Sequence, residues 1–95
     1  MLTMKFYPFT FYLLLMKLEI ITPDKKVYSG QVKLVQLPGI TGLFEILNNH
    51  APIISTLVKG KIKIEEENGQ VLYFEVDGGI VENKDNKIIV LAESV

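Results

Sequence analysis

The sequence lacks the side chains on which most metal and redox chemistry depends. Its 95 residues include no cysteine, no tryptophan and a single histidine. The absence of cysteine excludes a disulfide framework, a thiolate nucleophile and every cysteine-based metal site. A zinc site needs three or four convergent nitrogen, sulfur or oxygen ligands, so one histidine does not make one in this chain. We therefore expect no metal and no cofactor.

The chain also lacks an excess of charge of either sign. Its 10 basic and 11 acidic residues give a net charge of -1 and are interleaved along the sequence. A nucleic-acid-binding protein needs a basic patch that meets the phosphate backbone, so we expect no nucleic-acid partner. Apolar side chains, in contrast, make up 48% of the chain. This fraction is enough for one small domain to bury a core without covalent cross-links.

The first fifteen residues differ in composition from all that follows. They are rich in aromatic residues and free of acidic ones, and the apolar run from Phe9 to Met16 is shorter than the roughly 20 residues that span a bilayer. Lys5 precedes an apolar stretch as in a signal peptide, but no small-residue cleavage site follows. We interpret residues 1–15 as upstream translated sequence or a disordered tail, with Met16 or Lys17 as the native N-terminus. The alternative is a short signal peptide or an interfacial anchor.

From Lys17 onward, apolar residues recur with the period of β-strands and not of helices. Gly, Pro, Asn and Asp residues punctuate the intervals in the manner of turns. Strands at a spacing of about ten residues predict an all-β fold over residues 16–95, a small β-sandwich or flattened barrel of short, mostly antiparallel strands. The predicted strands cover residues 17–22, 27–37, 43–47, 53–58, 61–65, 70–77, 80–82 and 87–93.

Local signals refine the predicted strands. The second strand is interrupted near Gly30, which indicates a β-bulge. Asn68-Gly69 predicts a type I′ hairpin turn with positive φ at both residues, and the acidic run at 65–67 is expected to decorate the solvated end of that hairpin. The run from Ile88 to Leu91 is apolar at every position, which predicts a strand buried on both faces in the middle of a packed layer.

The stretch LPGITGLFEILNNHAP holds the only histidine in a loop rich in Gly, Asn and Pro. His50 has no neighbouring group that would orient it as a general base, and no serine lies in a nucleophile elbow. We interpret it as a contact or structural residue. Gly39 and Gly42 match a GxxG pattern but lead into a strand, so a turn explains them better than a phosphate site. Gly78-Gly79 predicts a tight corner.

Several short motifs occur in a specific order along residues 16–95, although each alone would be a weak signal. In this order they resemble the N-terminal β-sandwich domain of the epsilon subunit of F-type ATP synthases, in the delta/epsilon family. The motifs are Met16-Lys17-Leu18-Glu19-Ile20-Ile21-Thr22-Pro23, Val27-Tyr28-Ser29-Gly30, Leu37-Pro38-Gly39, His50-Ala51-Pro52, Asp77-Gly78-Gly79 and Val90-Leu91-Ala92-Glu93.

The resemblance implies a non-catalytic rotor subunit that links the gamma subunit of the central stalk to the membrane c ring, and so couples proton flow to ATP synthesis. Such a subunit is peripheral, lies at the cytoplasmic face of the bacterial inner or plasma membrane, and binds no small-molecule substrate. The resemblance implies no catalytic, cofactor-binding or metal residue. It implies c-ring contacts at Gly39, Ile40, Thr41, Gly42 and Leu43, and gamma contacts at Thr22, His50 and Ser55.

The sequence departs from the family pattern at several positions. Glu45 stands where the family often has glycine, and Ile80 replaces a common aromatic residue. Asn48-Asn49 replaces the usual Pro-Gly before His50, which predicts a more polar and more flexible loop. The sequence ends at Val95, so we expect a fold without the C-terminal helical hairpin that many relatives have.

Two rival hypotheses come from other classes of protein. One is a small β-domain that binds a soluble ligand at the Gly78-Gly79 corner or beside His50. The other is an enzyme that uses His50, with Glu45 as the only nearby acid by sequence. A ligand-binding domain needs a concave pocket with a few convergent polar groups, whereas a rotor subunit needs an exposed apolar patch rimmed by polar residues. The arrangement of exposed apolar side chains therefore discriminates between them.

Overall fold

The structure, a computed structural model, describes residues 15–95, which form eight β-strands and no helix. Within that range, no helix is therefore long and apolar enough to cross a membrane. All eight predicted strands are present, and their ends differ from the prediction by at most two residues. The predicted extension at 1–15 lies outside the described residues apart from Leu15. The strands are β1 (Met16–Ile21), β2 (Lys26–Gly39), β3 (Gly42–Leu47), β4 (Ile53–Leu57), β5 (Gly60–Glu66), β6 (Val71–Val76), β7 (Gly79–Lys84) and β8 (Lys87–Ala92).

The longest strand, β2, links two layers. Its first half, from Lys26 to Val32, pairs with β1, and its second half pairs with β5 and β3. The first layer continues from β1 through β8 and β7 to β4, and the second continues from β5 to β6. A single pair, Gly39 with Leu57, joins β4 to the end of β2. Among the described strands only β1 and β8 pair in parallel. The predicted all-β sandwich of mostly antiparallel strands is confirmed.

The core lies where the alternate side chains of the strands point inward. In β1, Met16, Leu18 and Ile20 are buried, while Glu19 between them faces outward. Fully burying one such aliphatic side chain contributes about 1.5–3 kcal/mol, so strand alternation supplies the main stabilisation. Leu15, just before β1, is also buried. The rest of the core consists of Val32, Val35, Leu37, Ile46, Leu57, Ile62, Ile64, Val76, Val81, Ile88, Val90 and Ala92.

The type I′ turn occurs in a different hairpin from the predicted one. At Asn68-Gly69 only the glycine has a positive φ, of 89°. The Gly69 N–H donates to Glu66 O, and the Glu66 N–H donates to Gln70 O, as in a three-residue loop with a type I turn and a glycine bulge. The prediction was wrong because three residues, not two, separate the bonded ends. The β7–β8 loop, Asp85-Asn86, has positive φ at both residues, 53° and 60°, as a type I′ turn requires.

Strand β2 is irregular near Gly30, as predicted, but not at the glycine itself. Gly30 pairs with Leu18, and the register shifts leave Val27 and Lys33 of β2 without a partner residue on the facing strand. A Cβ atom at Gly30 would lie 2.7 Å from the hydroxyl oxygen of Tyr28. The glycine therefore leaves space for the Tyr28 ring and does not bend the strand.

Strand β8 is buried on one face only. Ile88 and Val90 are buried, but Leu91 on the outward side exposes 54% of its surface. The strand does lie inside its layer, between β1 and β7. Its predicted burial on both faces is wrong because none of the described elements packs against the outward side. This open face carries the first of the candidate docking surfaces.

Candidate docking surfaces

The outward side of β1, β8, β7 and β4, here called the outer face, carries a row of apolar side chains. The register places Ile21 beside Leu91, Leu91 opposite Ile80, and Ile80 opposite Thr56. Leu91 and Ile80 expose 54% and 47% of their surface. We call these four residues the apolar row, in which Thr56 at the end is the one polar member. Contiguous exposed apolar side chains mark interaction sites, so the outer face is a candidate docking surface.

A shallow groove of ≈ 620 Å³ runs along the apolar row and includes Thr22, a predicted gamma contact. The Thr22 Oγ1 donates to Lys25 O over 3.2 Å and accepts from the Lys25 N–H over 3.3 Å, so this side chain also closes the β1–β2 turn. Thr22, Thr56 and Glu93 are the polar side chains of the lining, and the other lining residues are apolar or glycine. The groove thus has an apolar floor with a few polar groups.

Two further rows bring charge to the outer face. Glu19 forms a 3.2 Å salt bridge with Lys26. The hydrogen bond from Lys26 and the charges of Lys17 and Lys87 hold the pKa of Glu19 below its ordinary value, against the opposing effect of desolvation. Along the strands, the side chains of the outer face therefore change from apolar at the Leu91 end to lysine at the opposite end. The middle row is Glu19, Ile89, Glu82 and Ile54, and the basic row is Lys17, Lys87 and Lys84.

Ser55, the second predicted gamma contact, does not lie on the outer face. Side chains alternate along β4, so Ser55 shares the inward side with buried Leu57, whereas Ile54 and Thr56 are exposed. The Ser55 Oγ makes one long hydrogen bond of 3.5 Å to Thr56 O. The outward neighbour is Thr56, a candidate contact that the sequence reasoning did not name. The alternation of β4 would have identified it, because Leu57 is the clearest core residue of that strand.

The predicted c-ring contacts form the turn between β2 and β3, here called the hairpin tip (Gly39 to Leu43). Ile40 and Leu43 expose 73% and 66% of their surface, whereas Gly39 is buried. The Val58 N–H donates to Pro38 O over 2.9 Å, which places a further exposed apolar residue beside the base of the tip. The tip is therefore a second apolar projection, and its base at Gly39 pairs with Leu57, next to the Thr56 end of the apolar row.

Gly42 allows the hairpin tip to turn. Its φ is 132°, in a region that residues with a Cβ rarely adopt, and a Cβ placed there would meet no atom within 4 Å. The turn predicted from Gly39 and Gly42 is present, and glycine suits position 42 because of its backbone conformation and not because of a close approach.

The third predicted gamma contact, His50, lies in a loop that is held by side-chain amides. The Asn49 N–H donates to Asn86 Oδ1 over 2.7 Å, and Asn86 Nδ2 donates to Asn48 Oδ1 over 2.9 Å. These bonds tie the β3–β4 loop to the β7–β8 turn. The loop is polar, as Asn48-Asn49 predicts, but the bonds argue against the flexibility predicted with it.

His50 has no catalytic partner in the described part of the chain. Its Nδ1 lies 2.7 Å from Ala51 O, so we assign the proton to Nδ1. Glu45, the acid proposed for an enzyme, accepts a hydrogen bond from Gln36 Nε2 over 3.1 Å instead. A general base must be oriented by a second group and reach a nucleophile. The Ala51 carbonyl orients the ring, but the described residues give His50 no hydrogen bond to a nucleophile.

The Gly78-Gly79 corner is tight, as predicted. A Cβ atom at Gly79 would lie 2.3 Å from Leu91 O, so the backbone of β8 occupies the space that a side chain would need. The Glu93 N–H donates to Gly78 O over 3.0 Å. The atoms closest to the Gly79 backbone thus belong to Leu91 and Ala92 of β8.

One further contact was missed by the sequence reasoning. The Tyr28 hydroxyl donates to Glu66 Oε2 over 2.5 Å, which ties the first half of β2 to the end of β5. Burial and this hydrogen bond raise the pKa of Tyr28 well above its ordinary value. Glu66 therefore does more than decorate the hairpin, as had been expected of the acidic run. No local pattern signals a pair separated by 38 residues.

The fold and these surfaces define a class of protein, a small β-sandwich with exposed apolar side chains on its outer face and at its hairpin tip. Residues 15–95 match the model of the family described as ATP synthase, Delta/Epsilon chain, beta-sandwich domain. The chain belongs to this family, and the resemblance read from the order of its motifs is confirmed.

Individual relatives agree with the family match. The chain is 40% identical over 79 residues to the ATP synthase epsilon chain of Chlorobium limicola, a match that covers 83% of this chain and 90% of that one. It is 47% identical over 77 residues to the ATP synthase epsilon chain of Nitratidesulfovibrio vulgaris, covering 81% of this chain and 57% of that one. The chain thus spans most of the first relative and little more than half of the second.

Two solved structures have the same fold. A chain in the cryo-EM structure of the Euglena gracilis mitochondrial ATP synthase (OSCP/F1/c-ring, rotational state 1) superposes with a TM-score of 0.80 at 17% identity, covering 85% of this chain and 52% of that one. A chain in the central stalk/c-ring structure of the Tetrahymena thermophila mitochondrial ATP synthase gives a TM-score of 0.69 at 20% identity, covering 81% and 62%.

Proposed function

We propose that the protein is a non-catalytic central-stalk subunit of a proton-transporting F-type ATP synthase. In this role it links the gamma subunit to the membrane c ring and couples proton flow to ATP synthesis. The observation that carries the proposal is the exposed apolar row on the outer face of a delta/epsilon-family sandwich. The complex would hold the chain peripherally at the cytoplasmic face of a bacterial inner or plasma membrane.

The outer face and the His50 loop are the proposed gamma side. The groove beside Thr22 offers apolar area at Leu91 and Ile80, and burying that area on a partner supplies binding energy without any reaction chemistry. Thr56 takes the place of Ser55 as the exposed contact of β4. A rotor part needs such a surface because it must stay attached to its partner while both turn.

The hairpin tip is the proposed contact with the c ring. Ile40 and Leu43 project from a turn held in shape by Gly42, and Thr41 between them adds an exposed polar group. A narrow projection of this kind fits against the loops of a ring better than a flat sheet does. Because the tip belongs to β2–β3 and the apolar row to β1, β8, β7 and β4, the chain can hold both partners at once.

The ligand-binding alternative has weaker support. The groove at the Gly79 corner is shallow, and its polar side chains lie at separate points of an apolar lining. A small-molecule site is concave and has a few polar groups that converge on the ligand. The exposed apolar face therefore favours a protein partner.

Affinity purification of the tagged chain from membranes of its source organism tests the proposal. We expect the gamma and c subunits to be recovered with it. Leu91→Glu, which places a charge in the apolar row, should lose gamma. Tyr73→Glu is a matched control, since Tyr73 is 59% exposed on β6, outside both surfaces, and should retain both partners. Recovery of neither subunit with the unchanged chain would contradict the proposal.

A further inference from the structure

The β3–β4 loop is held from outside by two asparagines of the β7–β8 hairpin. Asn86 lies in the type I′ turn and uses both ends of its amide, accepting from the Asn49 N–H at 2.7 Å and donating to Asn48 Oδ1 at 2.9 Å. Asn49 has a φ of 65°, a conformation that asparagine adopts more readily than most residues. Asn86 thus fixes the loop at the point where its backbone reverses.

Asn83 holds the next part of the same loop. Its side chain is 2% exposed, and its Nδ2 lies 3.3 Å from both the His50 and the Ala51 carbonyl oxygens. Its Oδ1 is buried and has no hydrogen-bond partner among the described residues. Burying an unpaired polar atom costs free energy. An apolar residue would avoid this cost but could not donate to the loop.

We infer that Asn83 and Asn86 are positioning residues that hold the His50 loop in one geometry ready for a partner. Together with Asn48 they form what we call the asparagine latch. The inference rests on the proposed function, because the loop matters to binding only if it faces the gamma subunit. The sequence Asn48-Asn49 does not by itself restrict the backbone of the loop, and the hydrogen bonds of the latch do so instead.

The structure offers a substitution that opens the latch without changing the turn. Asn86 has a φ of 60°, and glycine is favoured at this position of a type I′ turn. Asn86→Gly therefore keeps the hairpin and removes only the amide. Asn83→Leu is a second variant of similar size, which removes the donor and the unpaired oxygen together. Asn68→Ala is the control, since the Asn68 Oδ1 accepts from the Gln70 N–H in the β5–β6 turn.

Amide hydrogen exchange on the full chain tests the latch directly. The Asn49 N–H should exchange about fivefold faster in Asn86→Gly, which is the effect of losing one hydrogen bond of ordinary strength. Core amides of β8 should stay protected, and the melting temperature should fall by no more than the several degrees that one such bond is worth in a domain of this size. In Asn68→Ala the Asn49 N–H should exchange as in the unchanged protein. An unchanged Asn49 exchange rate in Asn86→Gly would overturn the inference.

Binding kinetics separate positioning from direct contact. On an F1 sector that lacks this chain, Asn86→Gly and Asn83→Leu should lower the association rate severalfold and leave the dissociation rate unchanged, because a loop that samples other geometries is competent for less of the time. A faster dissociation rate alone would mean that Asn86 touches the partner, and would overturn the positioning role. Failure of the unchanged chain to bind would contradict the proposed function, while the exchange rates would still decide whether the latch exists.

Discussion

At the scale of single residues, the chain shows how polar groups are used when few reactive ones are present. Tyr28 donates to Glu66 across the sandwich, and asparagine amides hold the loop that contains the only histidine. These contacts shape surfaces and do not assemble a reaction centre. The consequences of changing them should therefore appear in stability and binding.

Tyr28 gives a pH-dependent prediction. Burial and the hydrogen bond to Glu66 raise its pKa, so the folded chain keeps the phenolic proton at a pH where the unfolded chain releases it. This contribution is present below the unfolded tyrosine pKa of about 10 and is lost as the pH rises beyond it. Tyr28→Phe should cost about 1 kcal/mol at pH 7 and should lose less stability than the unchanged chain at alkaline pH. Urea unfolding from pH 7 to 11 measures this, and a parallel loss in both proteins would refute the prediction.

His50 gives a prediction about binding without chemistry. If it is a partly exposed contact, His50→Ala should weaken gamma binding by about 0.5–1.5 kcal/mol and leave the chemical step of ATP hydrolysis unchanged. Titration of an F1 sector and a steady-state hydrolysis assay provide the two measurements. Abolished hydrolysis in an assembled complex would show that the histidine has a role beyond contact.

At the scale of elements, the turns decide which surfaces project from the sandwich. Gly42 has a positive φ in the hairpin tip, and Gly69 has one in the β5–β6 turn. Neither would place a Cβ within 4 Å of another atom. Substitution at either position therefore strains the backbone without a direct clash, and the two differ in which surface they disturb.

Gly42→Val should reshape the hairpin tip at a cost of about 1–3 kcal/mol. Because the tip is the proposed contact with the c ring, proton-driven ATP synthesis in membranes should fall more than ATP hydrolysis. Gly69→Val is the matched control and should strain its own turn with little effect on the ratio of synthesis to hydrolysis. An equal change of this ratio in both variants would show that the hairpin tip has no specific role in coupling.

The elements also show how far the sequence predicts this fold. Alternation identified every strand, and turn residues located the hairpins, because both signals are local. The type I′ turn was misplaced because loop length depends on which residues form the last ladder bonds, and Asp85-Asn86 resembles an ordinary polar loop in sequence. The open face of β8 was missed because the apolar run at Ile88 to Leu91 does not reveal whether another layer covers it.

The candidate site was predictable to a smaller extent. The turn of the hairpin tip was located from its glycines, whereas the roles predicted for the tip and for Thr22 came from the family resemblance. Ser55 lies on the inward side of β4 with Leu57, and the sequence could not show this because the face of a strand depends on its register with its neighbours; its contact with gamma stays a prediction. The latch on His50 could not be predicted, because Asn83 and Asn86 lie more than 30 residues from the loop they hold.

At the scale of the whole molecule, the central claim is that two surfaces bind two different partners at once. The chain contains no cysteine, so one introduced cysteine can carry a photoactivatable cross-linker at a single known place. The measurement is the identity, by mass spectrometry, of the subunit captured in the assembled complex. Leu91→Cys on the outer face should capture gamma, Ile40→Cys on the hairpin tip should capture a c subunit, and Tyr73→Cys should capture neither. Capture of the same subunit from both surfaces, or of no subunit from either, would contradict the proposed linking role.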